Sequence, residues 1–360
     1  MAGNRIVMKS SLVILIVTLI TAFALVDVQA KDYRWVIGRG HPAVGPGGKL
    51  LHDWLPDEIS KRVDAATGDK ITWVKAWGGA IAKVGDELEA IEKGVLTITV
   101  IMPLFETSKL PLGTFSYQTP FSTKDVGLAS KVAEDLWMNV PYMQKSLTQY
   151  NAKFLAMECY DSYQLLTTFP VKTIEDLKGK KIAGAGPNLQ WISPVGAVPV
   201  QSNLTEGYTS LQTGVYQGWI AFTLASEGFK YQDVAKFQTN ADFGAAPAVA
   251  IGMDLKVFNS LDPKAQKVIL DVGREYSLKY VEATNGYLQT AIDNMKKAGV
   301  TFYDLPQEER VKWAKALPNI AKDFVSKYEA QGLPAKEVLK YWLDGLKKAG
   351  YKFPREWVID

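Results

Sequence analysis

Apolar residues recur along this chain at strand-like and helix-like spacings, and the switches between the two mark out its elements. Tyr33-Arg34-Trp35-Val36-Ile37-Gly38 predicts a first strand, ended by the loop Arg39-Gly40-His41-Pro42. From Gly48 to Ala66, Leu51, Trp54, Leu55, Ile59 and Val63 fall at helical spacing, with Pro56 as a kink. Ile71 to Ala76 reads as a second strand, Trp77-Gly78-Gly79 as the turn after it, and Asp86 to Lys93 as a short helix stopped by Gly94. Val95 to Met102 is a continuous apolar run, the kind buried on both faces of a parallel sheet. Thr123 to Asn151 predicts two helices broken at Pro141, and Ala152 to Cys159 a strand leading into a second domain.

The middle of the chain, Asp176 to Phe222, carries the most distinctive order of elements. Leu177-Lys178-Gly179 is a turn and Lys180 to Ala183 a strand, followed by a glycine-rich loop and another strand. Asn203 with Glu206 three residues on has capping-box spacing, so a helix is expected to start there and to stop at Gly214. Val215 to Phe222 then reads as a mainly apolar strand broken by Gly218. Pro247 to Met253 is another apolar strand, taken as the return to the first domain, and Pro263 to Lys297 keeps a helical pattern throughout. Two amphipathic helices, Gln307 to Gln331 and Pro334 to Lys348, follow.

Strands alternating with helices predict an α/β fold with doubly wound sheets. Ligands of such sheets sit beyond the carboxyl ends of the strands, so the loops at Arg39 to His41, Trp77 to Gly79 and Pro103 to Phe105 are expected to face a site. The sequence has no internal repeat and no low-complexity linker, so the domains should be joined by strands rather than by a tether.

Composition narrows the function. At 360 residues the chain can hold two domains of ordinary size. Arg5 and Lys9, the apolar run Leu12 to Val26 and the small-residue site Val28-Gln29-Ala30 read as a signal peptide over residues 1–30, cleaved after Ala30, with an uncleaved anchor as the alternative. Of 41 basic and 38 acidic side chains, Arg5, Lys9 and Asp27 belong to that leader, which leaves a mature balance of +2 and implies no nucleic-acid partner. A single cysteine, Cys159, excludes an internal disulfide and any cysteine-rich metal site. With His41 and His52 the only histidines, and no nucleophile-elbow, zinc-protease or calcium-loop pattern, the equipment of an enzyme is nearly absent. Neither a cofactor nor a metal is expected.

The pieces Asp176-Leu177-Lys178-Gly179-Lys180-Lys181-Ile182, Gly196-Ala197-Val198-Pro199 and Glu206-Gly207-Tyr208-Thr209-Ser210-Leu211-Gln212-Thr213-Gly214 resemble, in order, DLKGLKIR, GA.P and the acidic residue before Y.ALQ.G in a known family. That family is the DctP-type solute-binding proteins of tripartite ATP-independent periplasmic (TRAP) transporters, and the resemblance runs from about residue 31 to 345. It implies a two-lobed periplasmic-binding-protein type II fold, with hinge strands and a long helix spanning both lobes. The first lobe would take residues 31–158 and return at about 247–285; the second would take 159–246 and be completed by about 286–360. It also implies a periplasmic monomer that captures a small organic solute and delivers it to membrane permease subunits. The rival readings are a periplasmic enzyme on the same fold and a ligand-presenting partner of a sensor.

Three positions depart from the family pattern. The arginine ending DLKGLKIR, whose fork holds a substrate carboxylate in the family, corresponds to Ala183; the asparagine of DGQEN corresponds to Ala221, and a second arginine of some members to Tyr163. Trp77, Trp191 and Trp219 stand instead at loops that carry the family's ligand, and aromatic walls suit flat or apolar ligands. The expectation is therefore an aromatic carboxylate or 2-oxo acid, with non-aromatic acids and sulfonates as the alternative. Expected contacts are Arg39, His41, Trp77, Phe105, Glu158 and Tyr163 from the first lobe and hinge, and Trp191, Ser202, Asn203 and Trp219 from the second.

Overall fold

The computed structural model describes residues 30–360, so the expected signal peptide lies, but for its last residue, outside the described residues. Five strands, β1 (Asp32–Gly38), β2 (Lys70–Ala76), β3 (Ile98–Ile101), β4 (Ala152–Tyr160) and β10 (Ala246–Asp254), form one sheet in the order β2-β1-β3-β10-β4. Six others, β5 (Tyr163–Thr167), β6 (Lys181–Gly184), β7 (Val198–Gln201), β8 (Gly218–Phe222), β9 (Phe237–Asn240) and β11 (Thr301–Asp304), form the second in the order β11-β9-β5-β8-β6-β7. β1 pairs in parallel with β2 and β3, whereas β10 runs antiparallel between β3 and β4. Every residue of β3 and of β10 is buried, which is why both read as unbroken apolar runs.

The sheets are tied together by two chain crossings. β4 passes into β5 through Asp161 and Ser162, and β9 passes into β10 through residues 241–245. The crossings pair with each other, Tyr163 N donating to Gly244 O at 3.0 Å and Phe243 N to Tyr163 O at 3.1 Å. Gly244 has φ +117 and stands where a Cβ would lie 2.3 Å from Ser122 Oγ, so glycine alone fits this bend.

A third tie is the helix Pro263–Lys297. Its start is set by Asp262, whose side chain accepts from Lys264 N, and by proline at the first position. It packs on the helix Leu55–Thr67 and β4 of the first lobe and on the helix Thr223–Gly228 of the second. Ile269, Val272, Tyr276 and Tyr280 join the main core, while Met295 joins the smaller core around Trp219.

At Pro56 the segments Gly45–Lys49, Leu50–Trp54 and Leu55–Thr67 follow one another without a gap, with the middle one widened to π form, which gives room ahead of a ring that cannot donate to the preceding turn. Two local readings are corrected by the structure. The helix expected over Gln307 to Gln331 is two, Gln307–Ala316 and Ile320–Glu329, because Leu317 precedes Pro318 and turns extended at ψ 140. Asn203 starts no helix. Its Oδ1 accepts from Thr205 N at 3.0 Å in a local turn, and the helix begins only at Gly207.

Candidate functional site

The loop after β1 brings two polar side chains to the space between the sheets. Its backbone is fixed from both sides: Arg39 N donates to Ala76 O at 3.0 Å and Gly78 N to His41 O at 3.2 Å. Between them Gly40 N donates to the buried carboxylate of Glu87 at 2.9 Å, and Gly85 N donates to the other oxygen at 2.7 Å. A Cβ at Gly40 would lie 2.2 Å from Val84 N, so the loop can pass there only as glycine.

Arg39 and His41 are buried, at 7% and 6% exposure, yet Arg39 Nε and both ring nitrogens of His41 have no hydrogen-bond partner. Behind Arg39 lies Glu158, wholly buried, with Oε2 3.7 Å from Arg39 Nη1 and Oε1 accepting from Tyr276 Oη at 2.6 Å. Burial opposes the charge on Arg39, but the Glu158 carboxylate and neighbouring tyrosines outweigh it and keep the guanidinium protonated. Burial raises the Glu158 pKa, with Arg39 and Tyr276 pulling the other way. His41 is pushed down to about 3 by burial and by the Arg39 charge, so it is a neutral imidazole at physiological pH.

Two adjoining cavities, of about 70 and 30 Å³, meet here. His41, Tyr160, Leu204 and Phe222 line both; Arg39, Tyr280 and Thr284 line only the first, and Phe105, Tyr163, Asn188, Trp219 and Ala221 only the second. Of the two, the first is the more polar through Arg39, although Val44, Leu224 and Phe229 also line it, and the second is mainly apolar. A wider groove of about 510 Å³ lies elsewhere, along Gln118, Gln190 and Phe324. There Gln190 Nε2 donates to Gln118 Oε1 at 3.2 Å and Gln118 Nε2 to Thr114 O at 3.2 Å. The amides of that groove are paired, whereas the cleft gathers three unpartnered buried nitrogens on two neighbouring residues, and we place the candidate site at the cleft between the sheets.

Residues 48–328 match the family described as DctP, bacterial extracellular solute-binding protein, family 7. The chain belongs to this family. Among curated proteins it is similar to the uncharacterized protein YiiZ of Salmonella typhimurium, 26% identical over 262 residues that cover 69% of this chain and 77% of the relative. Among solved structures it resembles a marine metagenome TRAP solute-binding protein specific for aromatic acid ligands, in complex with 3-hydroxybenzoate, at 18% identity and TM-score 0.76, covering 89% of this chain and 99% of that one. It also resembles a TRAP periplasmic solute-binding protein of Chromohalobacter salexigens with bound D-glucuronate, at 17% identity and TM-score 0.75, covering 86% and 99%. These structures share the two-lobed periplasmic-binding-protein-like fold. DctP-family proteins are substrate-binding receptors rather than enzymes; TRAP members are periplasmic, bind small organic solutes and work with membrane permease subunits.

In this DctP-family receptor the residues singled out from sequence divide into two groups. Arg39, His41, Phe105, Tyr163 and Trp219 line the cleft. Trp77, Glu158, Trp191, Ser202 and Asn203 do not. Trp191 is packed 5.3 Å from the Phe243 ring and 6.0 Å from Tyr117, with Nε1 donating to Tyr117 O at 3.0 Å. Trp77 stands beside His52 at 5.1 Å, and Ser202 Oγ is bonded to Tyr216 Oη at 3.2 Å. Glu158 stands behind Arg39 as its support. Sequence reasoning missed Tyr160, Phe222, Tyr280, Leu204 and Asn188, which line the cleft, and Glu87, which fixes the loop. The strand-end positions of Tyr160 and Phe222 were the available signal for those two.

Proposed function

We propose that this receptor captures a small, largely apolar organic acid, an aromatic carboxylate or 2-oxo acid, and passes it to a TRAP permease. The observation that carries the reading is a cleft with a buried, protonated arginine at one end and aromatic walls from both lobes at the other. Tyr160 and Phe222 stack at 4.3 Å with ring planes 16° apart, so the cleft closes ring on ring. At about 70 and 30 Å³ the two cavities are smaller than an aromatic acid, so a solute would enter by parting the Tyr160–Phe222 stack, with Ala221 adding a methyl to the apolar wall. The aromatic-acid ligand of the marine relative is in keeping with this; the uronate of the Chromohalobacter relative marks the competing class.

Capture would follow from closure of the lobes about the paired crossings, the solute stabilising the closed state through contacts it makes only there. A melting-shift screen of the mature protein against benzoate, 3-hydroxybenzoate, phenylpyruvate, succinate, pyroglutamate and glucuronate tests the reading. Stabilisation by the aromatic acids is expected. A shift with succinate or glucuronate and none with an aromatic acid would overturn the ligand class.

A further inference from the structure

The order of side chains along the cleft contains more than a preference for acids. Arg39 lines only the polar cavity, His41 lies where the two cavities meet, and Phe105, Tyr163 and Trp219 line only the apolar one. Resting on the reading above, we propose that Arg39 and His41 together form a two-point anchor for a 2-oxo or 2-hydroxy carboxylate. Arg39 holds the carboxylate, His41 holds the oxygen on the adjacent carbon, and the body of the solute extends past His41 towards Trp219.

Three observations carry this. First, Arg39 Nε and His41 Nδ1 and Nε2 are buried without partners, a costly arrangement that a ligand oxygen at each residue would relieve. Second, the loop cannot move to relieve them itself, because Glu87 pins Gly40 between them and the backbone on either side is bonded to Ala76 O and Gly78 N. Groups held rigid before the ligand arrives lose little ordering entropy on binding. Third, Arg39 and His41 contribute different chemistry. The guanidinium offers charged donors suited to a carboxylate. The neutral imidazole offers one donor and one acceptor nitrogen. An oxo oxygen accepts from its N–H and a hydroxyl can also donate to its other nitrogen, whereas a methylene at that place leaves both orphaned.

The anchor makes a distinction that the aromatic walls cannot, between acids of the same skeleton with and without oxygen at the second carbon. A site whose buried polar groups are matched by a ligand rejects the analogue lacking the match. Isothermal titration of the mature protein with phenylpyruvate, phenyllactate, 3-phenylpropionate, benzoate and glucuronate tests this, alongside His41→Phe and His41→Asn. The unaltered protein is expected to bind phenylpyruvate or phenyllactate at least about tenfold more tightly than 3-phenylpropionate. His41→Phe should erase that ratio while binding of 3-phenylpropionate persists, and His41→Asn, which keeps a donor and an acceptor, should restore part of it.

Equal binding of the three phenyl acids by the unaltered protein, or a ratio that survives in both variants, overturns the anchor and leaves the aromatic reading standing. Binding of glucuronate alone overturns the aromatic reading; the anchor then stands if His41→Phe weakens glucuronate about tenfold and falls if it does not. Binding of none of the five overturns both.

Discussion

Ala183 of β6 lies in parallel register with Trp219 of β8, and both belong to the small second-lobe core with Leu211, Tyr216 and Tyr231. The indole packs 5.6 Å from the Tyr216 ring and 6.0 Å from Tyr231, so the space beside Ala183 is filled by rings. Ala183→Arg, which introduces the residue expected there from the resemblance, would place a cation at a position with 0% exposure. The expected outcome is a loss of at least about 3 kcal/mol of stability, read from a denaturant midpoint, with no gain of dicarboxylate binding. An unchanged midpoint together with new succinate affinity would show that the tryptophan core is dispensable to the lobe.

Phe222 is predicted to hold the lobes together as well as to line the cleft. Its ring stacks on Tyr160 at 4.3 Å and meets Tyr163 edge-on at 5.6 Å, joining the end of β8 to the strands on either side of the first crossing. Such pairs are worth about 0.5–1.5 kcal/mol each beyond buried area. Phe222→Ala should therefore shift the open–closed balance about tenfold towards open, seen as a larger radius of gyration in solution scattering without ligand. The same radius in both proteins would mean that the stack contributes nothing to closure.

Acid should stabilise this protein over a window where many proteins weaken. Burial pushes Glu87, Glu134 and Asp161 each up to about 7. In the unfolded chain carboxyls titrate near 4, so between about pH 4 and 7 the native state binds more protons at these groups, and stability falls as pH rises through that range. His41, held down to about 3 when folded, acts in the opposite sense below its unfolded value near 6.5, but it is one group against three. The melting temperature is expected to be higher at pH 5.5 than at pH 7.5 by about 2 °C or more, measured by calorimetry without ligand. Glu134→Gln should flatten the slope; a melting temperature that drops on going to pH 5.5 would contradict the assignment.

Much of the architecture was legible because its signals are local. The helix Pro263–Lys297 is announced by Asp262, Pro263 and a sustained apolar face, and β3 and β10 by unbroken apolar runs. The site was legible only in part. Trp191 and Trp219 give the same signal in sequence, a tryptophan at an irregular point of the second lobe, yet one packs on Phe243 and Tyr117 and the other lines the cleft. Nothing in their neighbours distinguishes the two, because the difference lies in what the other lobe brings to each. Tyr160, Phe222 and Tyr280 read as ordinary apolar positions of strands and a helix for the same reason.

By itself the sequence determined the family, the α/β class and the long helix, since each depends on residue type and spacing along the chain. Only the tertiary structure decided that Arg39 faces a cleft with its Nε unmet, that Glu87 locks the loop carrying it, and that His41 stands between the cavity Arg39 lines and the one Trp219 lines. Hydrogen-bond satisfaction and burial are sums over neighbours drawn from distant parts of the chain, and they acquire values only when the two sheets come together.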